Sequence, residues 1–276
     1  MEHSNLKICW MHKDSEGKIA TKGEQCTQNC NKNIDKTKYT DMDSQVMYES
    51  QLPDCHEGCT YYSRCRRVFE MGNFNNNCWN APHDFKVNPA DISVMRATQK
   101  IRTEIVDFVK SGSNIIMCSN YSGNGKTSRA ISLSNTYISQ ICKLPEYDFD
   151  RVAHYAYIPK IVSDYALYEK SSYDNVRRQI FFQYIENLNY SDLVVWDGIG
   201  FDSKSYCENV IIRSIINTRI NSALSNIFVI NRSLEDFSEI VDDYDYKRIL
   251  NSSIVFEFKG NDFRKQLNSS FVGGMQ

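Results

Sequence analysis

No stretch of this sequence approaches the roughly 20 consecutive apolar residues needed to cross a bilayer. The polar start Met1-Glu2-His3-Ser4-Asn5-Leu6-Lys7 also lacks the apolar core of a signal peptide. No membrane partner is expected, and the expected place is the cytoplasm. A basic balance is missing as well. The formal net charge of -2 over 276 residues gives no overall attraction to nucleic acid, so any DNA contact has to come from local patches or from several subunits together. Internal repeats and long low-complexity tracts are absent. What remains is a globular chain whose 41% hydrophobic content suffices for one large core, or for an ordinary domain and a small one.

Cysteine is present but unevenly placed. Cys9, Cys26, Cys30, Cys55, Cys59, Cys65 and Cys78 crowd the N-terminal region, while Cys118, Cys142 and Cys207 are scattered and read as small core residues. In a reducing compartment such crowding favours metal ligation over disulfides. Zinc takes four Cys or His ligands in a closed structural site. Cys9, His12, Cys26 and Cys30 form one candidate set; Cys55, Cys59, Cys65 and Cys78 form another, with His56 in reserve, and a single site drawing on both groups is the alternative. Residues 1–85 carry few aliphatic runs, as expected of a small module stapled by metal because it cannot build a sufficient core. Aromatic and basic residues from Tyr61 to Lys86 fit the packing of such a module better than a base-stacking surface. A second region opens at Asp91, where apolar residues return at helical spacing up to the Ser111-Gly112-Ser113 break.

The most informative stretch follows that break. Asn114 to Cys118 is a short apolar run suited to a buried strand, and Ser128 to Ile141 has helical spacing. Between them, Asn120, Ser122, Gly123, Asn124, Gly125, Lys126, Thr127 and Ser128 read as a phosphate-binding loop feeding a helix N-terminus. The glycines let backbone amides curl around a phosphate, Lys126 brings a charge to the β/γ-phosphates, and Thr127 is placed to ligate Mg2+. The motif usually begins with glycine; Asn120 stands there, a residue type that tolerates a left-handed backbone. ATP and Mg2+ are the implied cofactors.

Downstream, strand-like runs at residues 151–158, 192–197, 227–231 and 254–258 alternate with helical stretches at residues 160–168, 175–188, 206–224 and 234–241. Such alternation predicts a parallel sheet covered on both faces. Asp197 ends one apolar run, where a carboxylate at the carboxyl edge of the sheet would sit beside Mg2+ as a Walker B aspartate; the competing reading is a turn aspartate ahead of Gly198 and Gly200.

Trp196-Asp197-Gly198-Ile199-Gly200 resembles the Walker B signature of bacterial and phage replicative-helicase loaders of the DnaC/DnaI type. Three downstream blocks are similar to that family in order and spacing: Ile215 to Arg219, Ile227 to Phe237, and Tyr246 to Arg264. The resemblance spans about residues 91–265. It implies an α/β architecture in which residues 86–276 form an AAA+ P-loop ATPase core, its parallel sheet sandwiched by helices, and residues 1–85 form a zinc-binding domain that contacts the helicase. It also implies Asn231 as a sensor of the γ-phosphate, against an ordinary turn residue. Arg248 becomes either a sensor 2 residue or a finger reaching a neighbouring subunit, and Arg219 an intersubunit candidate or a helix-end cap. The expected partners are a replicative DNA helicase, single-stranded DNA and further copies of this chain in the presence of ATP.

Two departures qualify what the family implies. Gly198 replaces the acid that often follows the Walker B aspartate, with Asp202 as a possible substitute, and Tyr244 stands near the place of an additional arginine. Loss of a water-activating group commonly costs about two to four orders of magnitude in rate, so ATP binding with slow hydrolysis is expected. The competing functions are a transposition-helper ATPase and a weakly hydrolysing adaptor or inhibitor of a host replication protein. A small-molecule P-loop kinase is more remote, since no substrate lid is recognisable.

Overall fold

The computed structural model describes residues 8–13, 19–21, 60–74, 88–144, 147–148, 151–170, 175–199, 205–235, 237 and 243–260. The chain divides into two compact units, Met1–Arg67 and Val68–Gln276. In the first, β1 (Ile8–Lys13) and β2 (Ile19–Thr21) pair antiparallel. Helix α1 (Thr60–Met71) runs across the boundary. Cys26, Cys30, Cys55, Cys59 and Cys78 lie outside the described residues, as do Gly200 and Asp202.

The second unit contains α2 (Ile92–Thr103), α3 (Ile105–Lys110), β3 (Asn114–Cys118), α4 (Lys126–Ile141), β4 (Ala153–Tyr157), α5 (Ile158–Lys170), α6 (Asn175–Tyr190), β5 (Leu193–Asp197), α7 (Arg213–Asn221), β6 (Ser225–Ile230), α8 (Asp243–Asn251) and β7 (Ser253–Glu257). The expected helix at residues 206–224 opens as a π-helical turn, Cys207–Ile212, before continuing as α7. Helix α8 was not foreseen from the sequence. It begins beside Asp242-Asp243, and its apolar positions Tyr246, Ile249 and Leu250 make only a short stripe.

The five strands pair in the order β4-β5-β6-β3-β7, all parallel. Parallel strands need covering on both faces, and β3, β5 and β6 are accordingly buried at every residue. Alternation divides their side chains between two layers. Ile116, Cys118, Trp196, Phe228 and Ile230 face a core shared with Ile161 of α5, Phe181 and Leu188 of α6, Ile215 and Ile216 of α7, and Ile249 of α8. On α4, Ala130, Leu133, Tyr137, Ile138 and Ile141 are buried at helical spacing, and this helix packs on β3, β5 and β6.

Residues 68–74 belong to this second unit and pack on the outer edge of the sheet. The Tyr155 amide on β4 donates to the Gly72 carbonyl at 2.7 Å, and Phe74, only 7% exposed, lies against the Tyr155 ring. A Cβ at Gly72 would come within 2.3 Å of the Ala153 carbonyl oxygen, so this close approach requires glycine.

At the amino-terminal edge of the sheet the core is polar. Asn226 Oδ1 accepts from Trp196 Nε1 and from Arg219 Nε, while Asn226 Nδ2 donates to Asn114 Oδ1. Asn114 Nδ2 in turn donates to Ser252 Oγ ahead of β7. The network joins β3, β5, β6 and β7 at the end remote from the phosphate loop.

Candidate functional site

In this strand order β6 lies between the phosphate-loop strand β3 and the Asp197 strand β5. The carboxyl ends of all three therefore converge on one edge, the place where open parallel sheets bind ligands. The loop leaves β3 at Ser119, which is 2% exposed; its hydroxyl donates to the Phe258 carbonyl beyond β7 at 2.6 Å. That same hydroxyl accepts from the Tyr121 amide at 3.1 Å and from Asn124 Nδ2 at 2.7 Å. Gly123 and Gly125 supply the left-handed turns, with φ of 73° and 96°. Asn120 does not use its left-handed tolerance: among the described residues only Asn73 and Ala223 combine a side chain with positive φ. The turn survives the absent glycine because the left-handed positions fall later in the loop.

Helix α4 starts at Lys126 with Gly125 at its cap position and no side chain bonded there, which leaves amides directed at the loop. Lys126 is 3% exposed, and its Nζ donates to the Tyr121 carbonyl at 2.8 Å and to Asn124 Oδ1 at 3.0 Å. Burial pushes its ammonium down to about 8, with the opposing pull of Cys118, Asp197 and Asp91 too weak to restore it.

Asp197 closes β5 on the same face as α4. Its Oδ2 accepts from Thr127 Oγ1 at 3.1 Å and from Tyr155 Oη at 2.7 Å. Burial raises its pKa, and the hydrogen bonds from Tyr155 and Thr127 draw it part of the way back. The donor set fits Mg2+ and a nucleotide: a hydroxyl and a carboxylate are already joined, beside a lysine and a row of loop amides. Ser122 and Ser128 lie on the exposed side of the loop and at the first turn of α4. Asn231 follows β6 at this same edge, exposed, two residues past Val229, which pairs with Asp197.

The two arginines stand elsewhere. Arg219 is fully buried and donates to Asn226 Oδ1, to the Leu188, Ser191 and Ser225 carbonyls, all at the amino-terminal edge. Two of these acceptors, the Leu188 and Ser191 carbonyls, lie at the end of α6, so the buried guanidinium closes a helix end within this chain. Arg248 occupies the last turn of α8, where its Nη2 donates to Asn221 Oδ1. Ser253, which starts β7, pairs with Asn114 at the start of β3, so Arg248 is a strand length of roughly 16 Å from the loop. Of the eight candidate zinc ligands, Cys65 is buried, and among the described residues no three metal-binding side chains gather.

Gly198 follows Asp197 with φ of 85°, and a Cβ there would meet Pro159 Cδ at 3.0 Å. The missing acid thus has a structural cause, because the chain turns through a conformation that side chains resist. Gly198→Glu is expected to destabilise the fold by about 1–2 kcal/mol and to leave ATP hydrolysis slow. Thermal unfolding and single-turnover hydrolysis would check this; a large gain in rate would contradict it.

Sequence reasoning missed Tyr155. A tyrosine in a predicted strand carries no sign of its partner until β4 is known to pair with β5 in the register Tyr155 to Val195.

Strand order, phosphate loop and facing aspartate give this unit the fold of an AAA+ P-loop core. More particularly, the chain has the fold of the DnaC-type helicase loaders. The crystal structure of the DnaC helicase loader superimposes with a TM-score of 0.52 at 17% identity, over 67% of this chain and 100% of that one. DnaI gives a TM-score of 0.50 at 13% identity, covering 68% of this chain and 94% of that one. A DNA replication initiation factor gives 0.52 at 16% identity, over 73% and 56%. At such identities the likeness is one of fold. No protein-family model matches the sequence, and no curated protein is similar to it. Among the described residues no helix is long and apolar enough to cross a membrane.

Proposed function

We propose that this protein is an ATP-dependent loader that binds a replicative DNA helicase and helps place it on single-stranded DNA during replication initiation. The observation that carries the reading is the joined pair Thr127 and Asp197, 3.1 Å apart beside Lys126, within a fold shared with the DnaC helicase loader and DnaI. Lys126 and the loop amides hold the phosphates, Thr127 and Asp197 hold Mg2+, and Asn231 faces the γ-phosphate. When bound there, Mg2+ would supply neutralisation of the phosphate charge. Arg248 acts across a subunit boundary, on the nucleotide of a neighbouring copy. The cysteine-rich N-terminal region holds zinc and grips the helicase.

ATP works here as a switch, held well and split slowly. The left-handed Gly198 favours one second reading, an adaptor that binds nucleotide and a replication protein without turnover. Co-purification of the full chain with its cognate replicative helicase, with and without ATP and a zinc chelator, tests the proposal. Capture that depends on ATP supports it; failure in every condition moves the reading to a transposition helper. Turnover stimulated by single-stranded DNA separates loader from adaptor. Metal content well below one zinc per chain would end the zinc reading.

A further inference from the structure

Thr127 and Asp197 belong to motifs that announce themselves in sequence, whereas a third member of their cluster belongs to none. Tyr155 is 9% exposed, and its hydroxyl donates to Asp197 Oδ2 at 2.7 Å, the same oxygen that accepts from Thr127. The two donors approach from different elements, β4 and α4, and so fix the carboxylate's rotation about its own chain. A hydroxyl donating to a carboxylate is among the stronger hydrogen bonds, and this one is shielded from water.

The tyrosine is itself held from three sides. Its amide donates to the Gly72 carbonyl at 2.7 Å, and its carbonyl accepts from Tyr184 Oη on α6 at 3.1 Å. Phe74 packs on its ring with centroids 6.1 Å apart. A side chain so constrained does not readily swing away when a ligand arrives, and that rigidity is what a preorganised site needs from its supporting residues. At the next position of β5, where another side chain could share the task, the chain has Gly198.

We infer that Tyr155 is a positioning residue for the metal-binding aspartate: its hydroxyl sets the Asp197 carboxylate in the orientation that receives Mg2+ with a nucleotide. The inference rests on the nucleotide-binding reading above. It also gives residues 72–74 a place in the site, since they seat the ring that seats the carboxylate.

Tyr155→Phe removes one oxygen and keeps the ring, so the packing against Phe74 is retained. The test compares the full chain with this variant by fluorescence titration of N-methylanthraniloyl-ATP, once in EDTA and once in Mg2+. Affinity in EDTA is expected to stay within about twofold, while the gain in affinity brought by Mg2+ falls about tenfold. An unchanged gain overturns the inference. An equal loss in both buffers also overturns it, because a packing role alone lowers both together. If the unaltered chain binds the nucleotide in neither buffer, the phosphate-loop reading fails, and this inference fails with it.

Discussion

Lys126→Ala is expected to remove ATP binding from detection in an equilibrium titration. The ammonium is the one mobile cation built into the loop, and hydrogen bonds to charged groups contribute about 1.5–3 kcal/mol each. Losing two of them to the β- and γ-phosphates weakens binding by roughly a hundredfold or more. The fold should survive, since Lys126 bonds only within its own loop, to Tyr121 and Asn124. Retained affinity in a folded variant would sink the assignment of the site.

The same residue sets a pH dependence. Burial holds its ammonium down to about 8 in the nucleotide-free protein. Phosphates need the charged form, and the charge is lost as pH rises through about 8. Affinity is therefore fully present below pH 8 and declines above it, by up to about tenfold per pH unit, because each binding event must then take up a proton. Dissociation constants measured at pH 7, 8 and 9 would show about a twofold fall over the first interval and most of the fall between the last two. A flat profile over this range would mean that Lys126 stays charged in the empty loop.

Arg219→Met is expected to be the most destabilising single change in the ATPase core. Four acceptors on α6, β6 and the segment leading into β5 converge on one guanidinium, at 2.6–2.7 Å. Methionine fills similar volume but withdraws the donor from the Leu188, Ser191 and Ser225 carbonyls, at about 1–3 kcal/mol for each buried acceptor left unsatisfied. Whole domains are stable by only about 5–15 kcal/mol, so the variant sits near the edge of folding. Arg219→Lys should recover little, because a single ammonium cannot reproduce the planar fork that meets acceptors on several sides. Urea unfolding provides the check. A variant with the unaltered midpoint and a defect only in assembly or hydrolysis would contradict this and favour an intersubunit role.

The contrast between Lys126 and Arg219 marks what was legible. Lys126 lies in a local motif, where loop glycines, lysine and threonine are consecutive in the chain, and a local pattern survives any tertiary arrangement. The strands were legible for a related reason: a parallel sheet buries both faces, and unbroken runs such as residues 114–118 and 193–197 record that burial directly. Arg219 carries a clue in its spacing: Ile212, Ile215, Ile216 and Arg219 lie on one helical stripe, all buried. For Arg248 only the pairing of Ser253 with Asn114 shows that the last turn of α8 lies at the opposite edge from the loop.

The sequence by itself determined the phosphate-loop motif and the α/β class, because such loops and buried strands are written in contiguous residues. Tertiary structure alone decided which distant groups meet. It joined Tyr155 to Asp197 through the register of β4 on β5, placed residues 72–74 on the edge of the sheet, and put Gly198 in a left-handed turn against Pro159. Those facts depend on strand order and chain direction, which are set by burial summed over the whole core, and no local pattern of residues encodes that sum.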